Sequence, residues 1–274
     1  MDVTSRLEWH PLLQDPTRCR SVKPRASGIT MVIDKGLGLH AFEDLLQTAA
    51  PYVDLLKIGF GTSPLYPTAL LKRKIELARE HQIDIMPGGT FLEVAVAQNA
   101  VAEFFDMVRR LGFNAVEVSD GTIELERLRR NELIRRGREA DLNVYTEYGK
   151  KLWGSTIDAE QLLETVLFDV QHGASLVTIE ARESGTGVGI FDGDGQCRDE
   201  ELLDIQAMLP DPGRLLWEAP LKQQQIDLLR TLGPSVNLGN IAPQEIFSLE
   251  TLRRGLRSDT FRDPRRNGGT LQPE

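Results

Sequence analysis

Eight short runs of β-type residues, separated by amphipathic helical stretches, constrain this chain more than any other feature. They lie at Ile29 to Ile33, Val53 to Ile58, Ile83 to Met86, Ala115 to Val118, Asn143 to Glu147, Leu176 to Glu180, Leu215 to Glu218 and Ser235 to Leu238. Alternating strand and helix implies a parallel sheet with helices on the crossovers, and eight such units close into a TIM (β/α)8 barrel. Such a barrel takes about 250 residues as one domain, and no linker divides these 274 residues. A single barrel domain is expected over residues 28–261, with residues 1–27 an N-terminal extension and residues 262–274 a flexible C-terminal tail. Helical periodicity is expected over Leu92 to Leu111 and Ile157 to His172. Gly112 and Gly173 are the expected stops, and Pro67 and Pro243 the expected starts of helical turns.

The net charge of −9 disfavours nucleic acid and acidic membrane surfaces as partners, since both need a concentrated basic face. No apolar stretch is long enough to span a bilayer, and no signal sequence is expected. Cys19 and Cys197 cannot form a disulfide framework, so a cytoplasmic protein is expected. The partners expected are small anionic substrates and further copies of the same chain in a homo-oligomer.

Successive strand residues face opposite sides of a sheet, so parity assigns the polar groups. Leu56 and Ile58 would cover the helix side and turn Lys57 inward. Val116 and Val118 leave Glu117 and Ser119 inside; Val177 and Ile179 leave Thr178 and Glu180; Trp217 leaves Glu218; Val236 and Leu238 leave Asn237. In the first strand the same reading places Ile29, Met31 and Ile33 against the helices, with Thr30, Val32 and Asp34 toward the barrel axis. Ionisable groups gathered in one partly buried mouth are costly unless paired or bound to a ligand, and barrel enzymes place their sites at the C-terminal ends of the strands. A functional site is therefore expected there.

The cations at or beyond the strand ends are Lys35, Lys57, Lys150, Lys151 and Arg182, which imply an anionic ligand; a guanidinium can grip phosphate or carboxylate bidentately. The acids Asp34, Glu117, Asp120, Glu147, Glu180 and Glu218 offer hard oxygens of the kind that suit Mg²⁺, of which Glu117, Glu147, Glu180 and Glu218 are the expected ligands. Backbone N–H groups for a phosphate could come from Gly88 and Gly89, from Ser184 and Gly185, or from Asn237, Gly239 and Asn240 ahead of Pro243. The glycines from Gly185 to Gly189 do not have dinucleotide-fingerprint spacing, so no NAD is expected. Asp192 to Gly195 reads as a turn, the arginines from Arg127 to Arg138 as a solvated helix face, and His172 as a helix end.

The segments Val32 to Gly36, Lys57 to Ser63, Pro87 to Thr90, Glu117 to Gly121, Thr146 to Lys151, Glu180 to Gly185, Glu218 to Pro220, Ser235 to Ile241 and Ser248 to Arg257 together resemble the phosphosulfolactate synthase family. The resemblance runs in order over about residues 28–261. It implies a Mg²⁺-dependent TIM barrel that adds sulfite to phosphoenolpyruvate. Lys150 or Lys151, with a depressed pKa, would be the general acid, and Arg182, Lys57 and Lys35 would hold the phosphate and sulfite. Plant proteins associated with heat tolerance share this fold, so a non-catalytic interaction protein is one alternative. Another Mg²⁺-dependent enolate-forming lyase or aldolase is a second.

Overall fold

The computed structural model describes residues Trp9–Phe261, so the expected tail over residues 262–274 lies outside the described residues. A short helix α1 (Pro11–Gln14) precedes eight strands: β1 Thr30–Asp34, β2 Leu55–Ile58, β3 Asp84–Pro87, β4 Ala115–Val118, β5 Asn143–Tyr148, β6 Ala174–Ile179, β7 Leu215–Glu218 and β8 Leu238–Ile241. Between and after them run α2 Leu39–Ala49, α3 Thr68–Glu80, α4 Gly89–Ala97, α5 Val101–Leu111, α6 Arg127–Glu139, α7 Ala159–His172, α8 Asp199–Met208, α9 Lys222–Leu232 and α10 Ile246–Arg253. The strands form one parallel sheet in the order β3-β2-β1-β8-β7-β6-β5-β4. This is the expected (β/α)8 architecture. No helix among the described residues is long and apolar enough to cross a membrane.

The sheet curls until its ends, β3 and β4, meet without a shared ladder, and side chains join them instead. Asn114 Oδ1 accepts the Ile85 N–H at 2.8 Å while its amide donates to Asp84 Oδ1 at 2.8 Å. Asp84 Oδ2 also accepts from Asn143 and from the Tyr145 hydroxyl. At the other end of the seam the Gly89 N–H donates to Glu117 Oε2 at 2.8 Å.

Two apolar layers flank the strands. Inside the barrel pack Ile29, Met31, Leu55, Met86, Ala115, Tyr145, Leu176 and Leu216. Against the helices lie Val32, Leu56, Ile58, Val116, Val118, Val177, Ile179, Trp217 and Leu238. Parity therefore holds for β2, β4, β6 and β7 and is inverted for β1. Met31 faces the axis, whereas Val32 and Asp34 face the helices, where Asp34 pairs with the fully buried Lys74 of α3 and accepts the Gly36 and Leu37 N–H groups. A strand buried on both faces reads as a continuous apolar run, so its composition carries no sidedness.

Seven strands start and end within two residues of expectation; β8 begins three residues late. The expected helix from Leu92 to Leu111 is two helices, α4 and α5, parted at Asn99, which takes the left-handed φ of 55° that Asn tolerates. Gly112 and Gly173 end α5 and α7 in left-handed conformations. Asp192 accepts the N–H groups of Asp194 and Gln196, which makes the Asp192 to Gly195 stretch a turn, as expected. The segment ahead of β1 is tied to the N-terminal end of the barrel. Arg20 pairs with Glu250 at 3.0 Å, Arg25 with Asp54 at 3.1 Å, and Lys23 Nζ donates to the carbonyls of Ala50, Val53 and His81.

Candidate active site

The C-terminal ends of the strands deliver ionisable side chains into one mouth. Lys57 on β2, Glu117 on β4 and Glu218 on β7 each sit at an inward position between two outward apolar residues, Glu147 on β5 turns in between Thr146 and Tyr148, and Glu180 follows the last residue of β6. With Gly88, Gly89, Thr90, Lys151, Arg182, Glu183, Asn240 and Phe60 they line a cavity of about 160 Å³.

Lys57 forms the floor and is 4% exposed. Its Nζ lies 2.9 Å from Glu117 Oε1, 3.1 Å from Glu218 Oε1 and 3.7 Å from Glu147 Oε2. Lys151 enters from the loop after β5, with its Nζ 2.8 Å from Glu147 Oε1, 3.3 Å from Glu180 Oε2 and 3.8 Å from Glu93 Oε1. Five carboxylates thus surround two ammonium groups, all but Lys151 buried.

Burial opposes the charge on Lys57, yet Glu117, Glu218 and Glu147 outweigh it and hold its pKa well above the usual lysine value. Burial likewise opposes the charge on Lys151, but Glu147 and Glu180 raise its pKa; the depressed lysine pKa expected from sequence is overturned. Glu147 feels the same burial, which Lys151 and Lys57 overcome, holding its carboxyl down at about 2. Glu180 goes the other way: burial, reinforced by Glu147 and Glu218, pushes it up to about 11. Burial also raises Glu117, with Lys57 offsetting part of the shift.

Gly89 has a steric reason to be glycine: a Cβ there would come within 2.7 Å of the Ser119 Cβ and 2.9 Å of Glu117 Oε2. Asn240 reaches the mouth through a break in alternation. Thr30 pairs with Leu238 and Val32 with Ile241, so β8 carries one extra residue against β1, and Asn240 takes a φ of 53° there. The loops after β5 and β6 are laced together, Gly154 N–H to Gly187 O at 2.8 Å and Gly189 N–H to Ser155 O at 3.1 Å. Lys151 and Arg182 therefore lie on two joined loops.

Of the residues expected in the site, Lys57, Lys151, Arg182, Gly88, Gly89, Asn240, Glu117, Glu147, Glu180 and Glu218 come together here. Lys150 does not. Its Nζ donates to the carbonyls of Asp120 and Ile123, and it lines a separate cavity of about 570 Å³ on the flank. Lys35 is exposed and pairs with Glu183 at 2.6 Å. Ser184 is exposed, and Gly185 packs against Gln224, which donates to its carbonyl. Asn237 lies at the opposite end of the barrel from the mouth, because β8 starts after it: it accepts the Ile29 N–H and donates to Gly213 O and Leu215 O. Gly239 abuts Leu216 and Met31 in the apolar interior below the mouth.

Glu93 and Arg130 escape the sequence reading, as does the side chain of Thr90, whose segment reads only as a source of backbone donors. Thr90 follows the glycine pair and accepts from Lys151 at 3.4 Å. Glu93 lies one turn into α4, on the face turned to β4. Arg130, expected on a solvated face, is 3% exposed; it grips Asp169 and donates to the Glu147 carbonyl at 3.0 Å.

A mouth of buried, paired ionisable groups at the C-terminal ends of eight parallel strands defines a (β/α)8-barrel enzyme. Residues 18–259 match the family model described as (2R)-phospho-3-sulfolactate synthase (ComA), and the chain belongs to that family. It is 42% identical to the phosphosulfolactate synthase of Methanothermobacter thermautotrophicus over 88% of this chain and 94% of the relative. It is 39% identical to the phosphosulfolactate synthase of Bacillus subtilis over 88% and 95%, and 24% identical to Protein HEAT-STRESS-ASSOCIATED 32 of Arabidopsis thaliana over 85% and 88%. Among solved structures, the YdjI aldolase of Escherichia coli K12 superposes with a TM-score of 0.53 at 12% identity, covering 88% of this chain and 89% of that one, a likeness of fold alone.

Proposed function

We propose that this enzyme adds sulfite to phosphoenolpyruvate, giving (2R)-phospho-3-sulfolactate, with Mg²⁺ as cofactor. The observation that carries the reading is the mouth, where Lys57 and Lys151 stand among carboxylates from four strands and α4, in a chain whose curated relatives include phosphosulfolactate synthases.

Two carboxylate oxygens shut from solvent, Glu117 Oε1 and Glu180 Oε2, each face an ammonium, at 2.9 and 3.3 Å. With more carboxylates than ammonium groups in the mouth, this donor set fits a hard divalent ion. Among the described residues no three acids, histidines or cysteines form a preformed cage, so one or two of Glu117, Glu147, Glu180 and Glu218 would hold the ion, with water and substrate completing its shell. Bound there, Mg²⁺ supplies positive charge against the charge that develops on the substrate carboxylate.

In the reaction the sulfite sulfur lone pair forms a bond to the methylene carbon C3, and the C2–C3 π pair moves into the carboxylate as an enediolate. A proton delivered to C2 completes the product. Lys151 Nζ is the donor in this reading; its raised pKa keeps the proton in place until a strongly basic carbon forms. Lys57 offsets the developing charge from below, and Arg182 at the rim receives the anions. A Schiff-base aldolase would need a neutral lysine amine, and both mouth lysines are held charged. Cys19 and Cys197 are free thiols, in keeping with a cytoplasmic enzyme.

The test mixes protein with phosphoenolpyruvate, sulfite and Mg²⁺ and reads the sulfonated product by mass spectrometry. Lys151→Ala is expected to lose about 100-fold or more in turnover, as for removal of a general acid, whereas Lys150→Ala keeps turnover within about tenfold because its ammonium serves the flanking loop. No product from the wild-type protein with Mg²⁺ present would rule out the reaction; equal losses in both variants would rule out the donor.

A further inference from the structure

Glu93 is 2% exposed and each of its carboxylate oxygens is engaged, yet it holds no residue of its own helix. Oε1 accepts the Ser119 hydroxyl, and Oε2 accepts the Thr122 N–H at 2.8 Å and the Ile123 N–H at 3.2 Å. One side chain of α4 thereby clamps the whole turn that leaves β4. That turn is the surface against which Lys151 lies. The Lys151 N–H donates to the Gly121 carbonyl at 3.0 Å, and a Cβ on Gly121 would come within 3.0 to 3.1 Å of the Lys151 Cγ, Cδ and Cε. Lys150 latches the same turn from the far side through the carbonyls of Asp120 and Ile123. Glu93 Oε1 also stands 3.8 Å from Lys151 Nζ.

We infer that Glu93 and Gly121 are positioning residues for Lys151: Glu93 fixes the turn after β4, and the bare Gly121 provides the trough in which the lysine stem runs to the mouth. The inference rests on the proposed role of Lys151. A clamp from a helix onto a turn is rigid where a loop lysine by itself is not, and a misplacement of about 1 Å at a reacting group can cost on the order of 100-fold in rate. Gly121 does not have a left-handed φ, so alanine there introduces the contact with the lysine stem and no backbone strain.

The experiment compares kcat, KM for phosphoenolpyruvate and for sulfite, and the thermal midpoint in Glu93→Ala, Glu93→Gln, Gly121→Ala and Lys151→Ala. Glu93→Ala and Gly121→Ala are expected to lose about tenfold or more in kcat, with both KM values and the midpoint near those of the wild type. Glu93→Gln, whose amide oxygen still accepts the two backbone N–H groups, recovers most of that loss. If Gly121→Ala turns over at the wild-type rate, or if Glu93→Ala changes only KM or only the midpoint, the positioning role is overturned. An active Lys151→Ala variant refutes the donor assignment instead, which separates the two failures.

Discussion

Glu147 and Glu180 flank the same ammonium group of Lys151 and are driven to opposite protonation states. The sign of each contribution to stability follows from the direction of its shift. Glu147, held at about 2, stabilises the fold above its ordinary 4.5, and that contribution is lost as pH falls toward 2. Glu180, raised to about 11, contributes fully below 4.5 and loses its contribution as pH rises through 11. In the presence of a chelator the alkaline decline should be as steep as about 1.4 kcal/mol per pH unit for one proton. Glu180→Gln should flatten the thermal midpoint between pH 7 and 10, as pH-scanned melts would show, and leave the acid limb in place. Parallel curves for the two proteins would mean that Glu180 is already ionised at neutral pH. At this scale the sequence identified Lys57, Glu117 and Glu218 because each lies between two outward apolar neighbours on its strand. It could not separate Lys150 from Lys151, since adjacent loop residues have no parity, nor find Glu93 and Arg130, since a polar residue on a helix shows no sign in sequence of which neighbour will accept it.

The eighth strand shows what a shift of an element does to its residues. Placing it three residues early puts Asn237 in the mouth; in the structure Asn237 closes the opposite end, satisfying with one amide the Ile29 N–H just ahead of β1 and the carbonyls of Gly213 and Leu215. Asn237→Ala leaves the buried Ile29 N–H and Leu215 carbonyl without this partner, at about 1–3 kcal/mol each. The expected result is a lower denaturation midpoint with the KM for phosphoenolpyruvate unchanged, read by urea melts and steady-state kinetics; a raised KM without a change in stability would return Asn237 to the substrate. The register break between β1 and β8 has no sequence signature, because an extra residue in a strand is visible only against its partner. The inverted β1 has the same origin: Ile29 to Ile33 is apolar enough on both faces to suit either orientation, and Lys74, 40 residues away on α3, joins the Gly36 and Leu37 N–H groups in holding Asp34.

Across the whole molecule, the segment before β1 is bound into the barrel's closed end by Arg20, Lys23 and Arg25. Each of its ion pairs is buried, and breaking a buried pair by removing one partner typically costs about 3–5 kcal/mol. A chain that starts at Ser27 should therefore melt well below the full-length protein, measured by calorimetry; an unchanged midpoint would show that the barrel stands without this segment. The sequence by itself determined the number of units, their parallel alternation, and which strand residues turn inward wherever one face is apolar and the other is not, because strand and helix periods are local and follow from covalent geometry. Tertiary structure decided the orientation of β1, the bulge that brings Asn240 to the mouth, the choice of Lys151 over Lys150, and the opposed states of Glu147 and Glu180. Each of these depends on charges or backbone groups distant along the chain, and their energies exist only once folding has excluded water and brought the partners within a few ångströms.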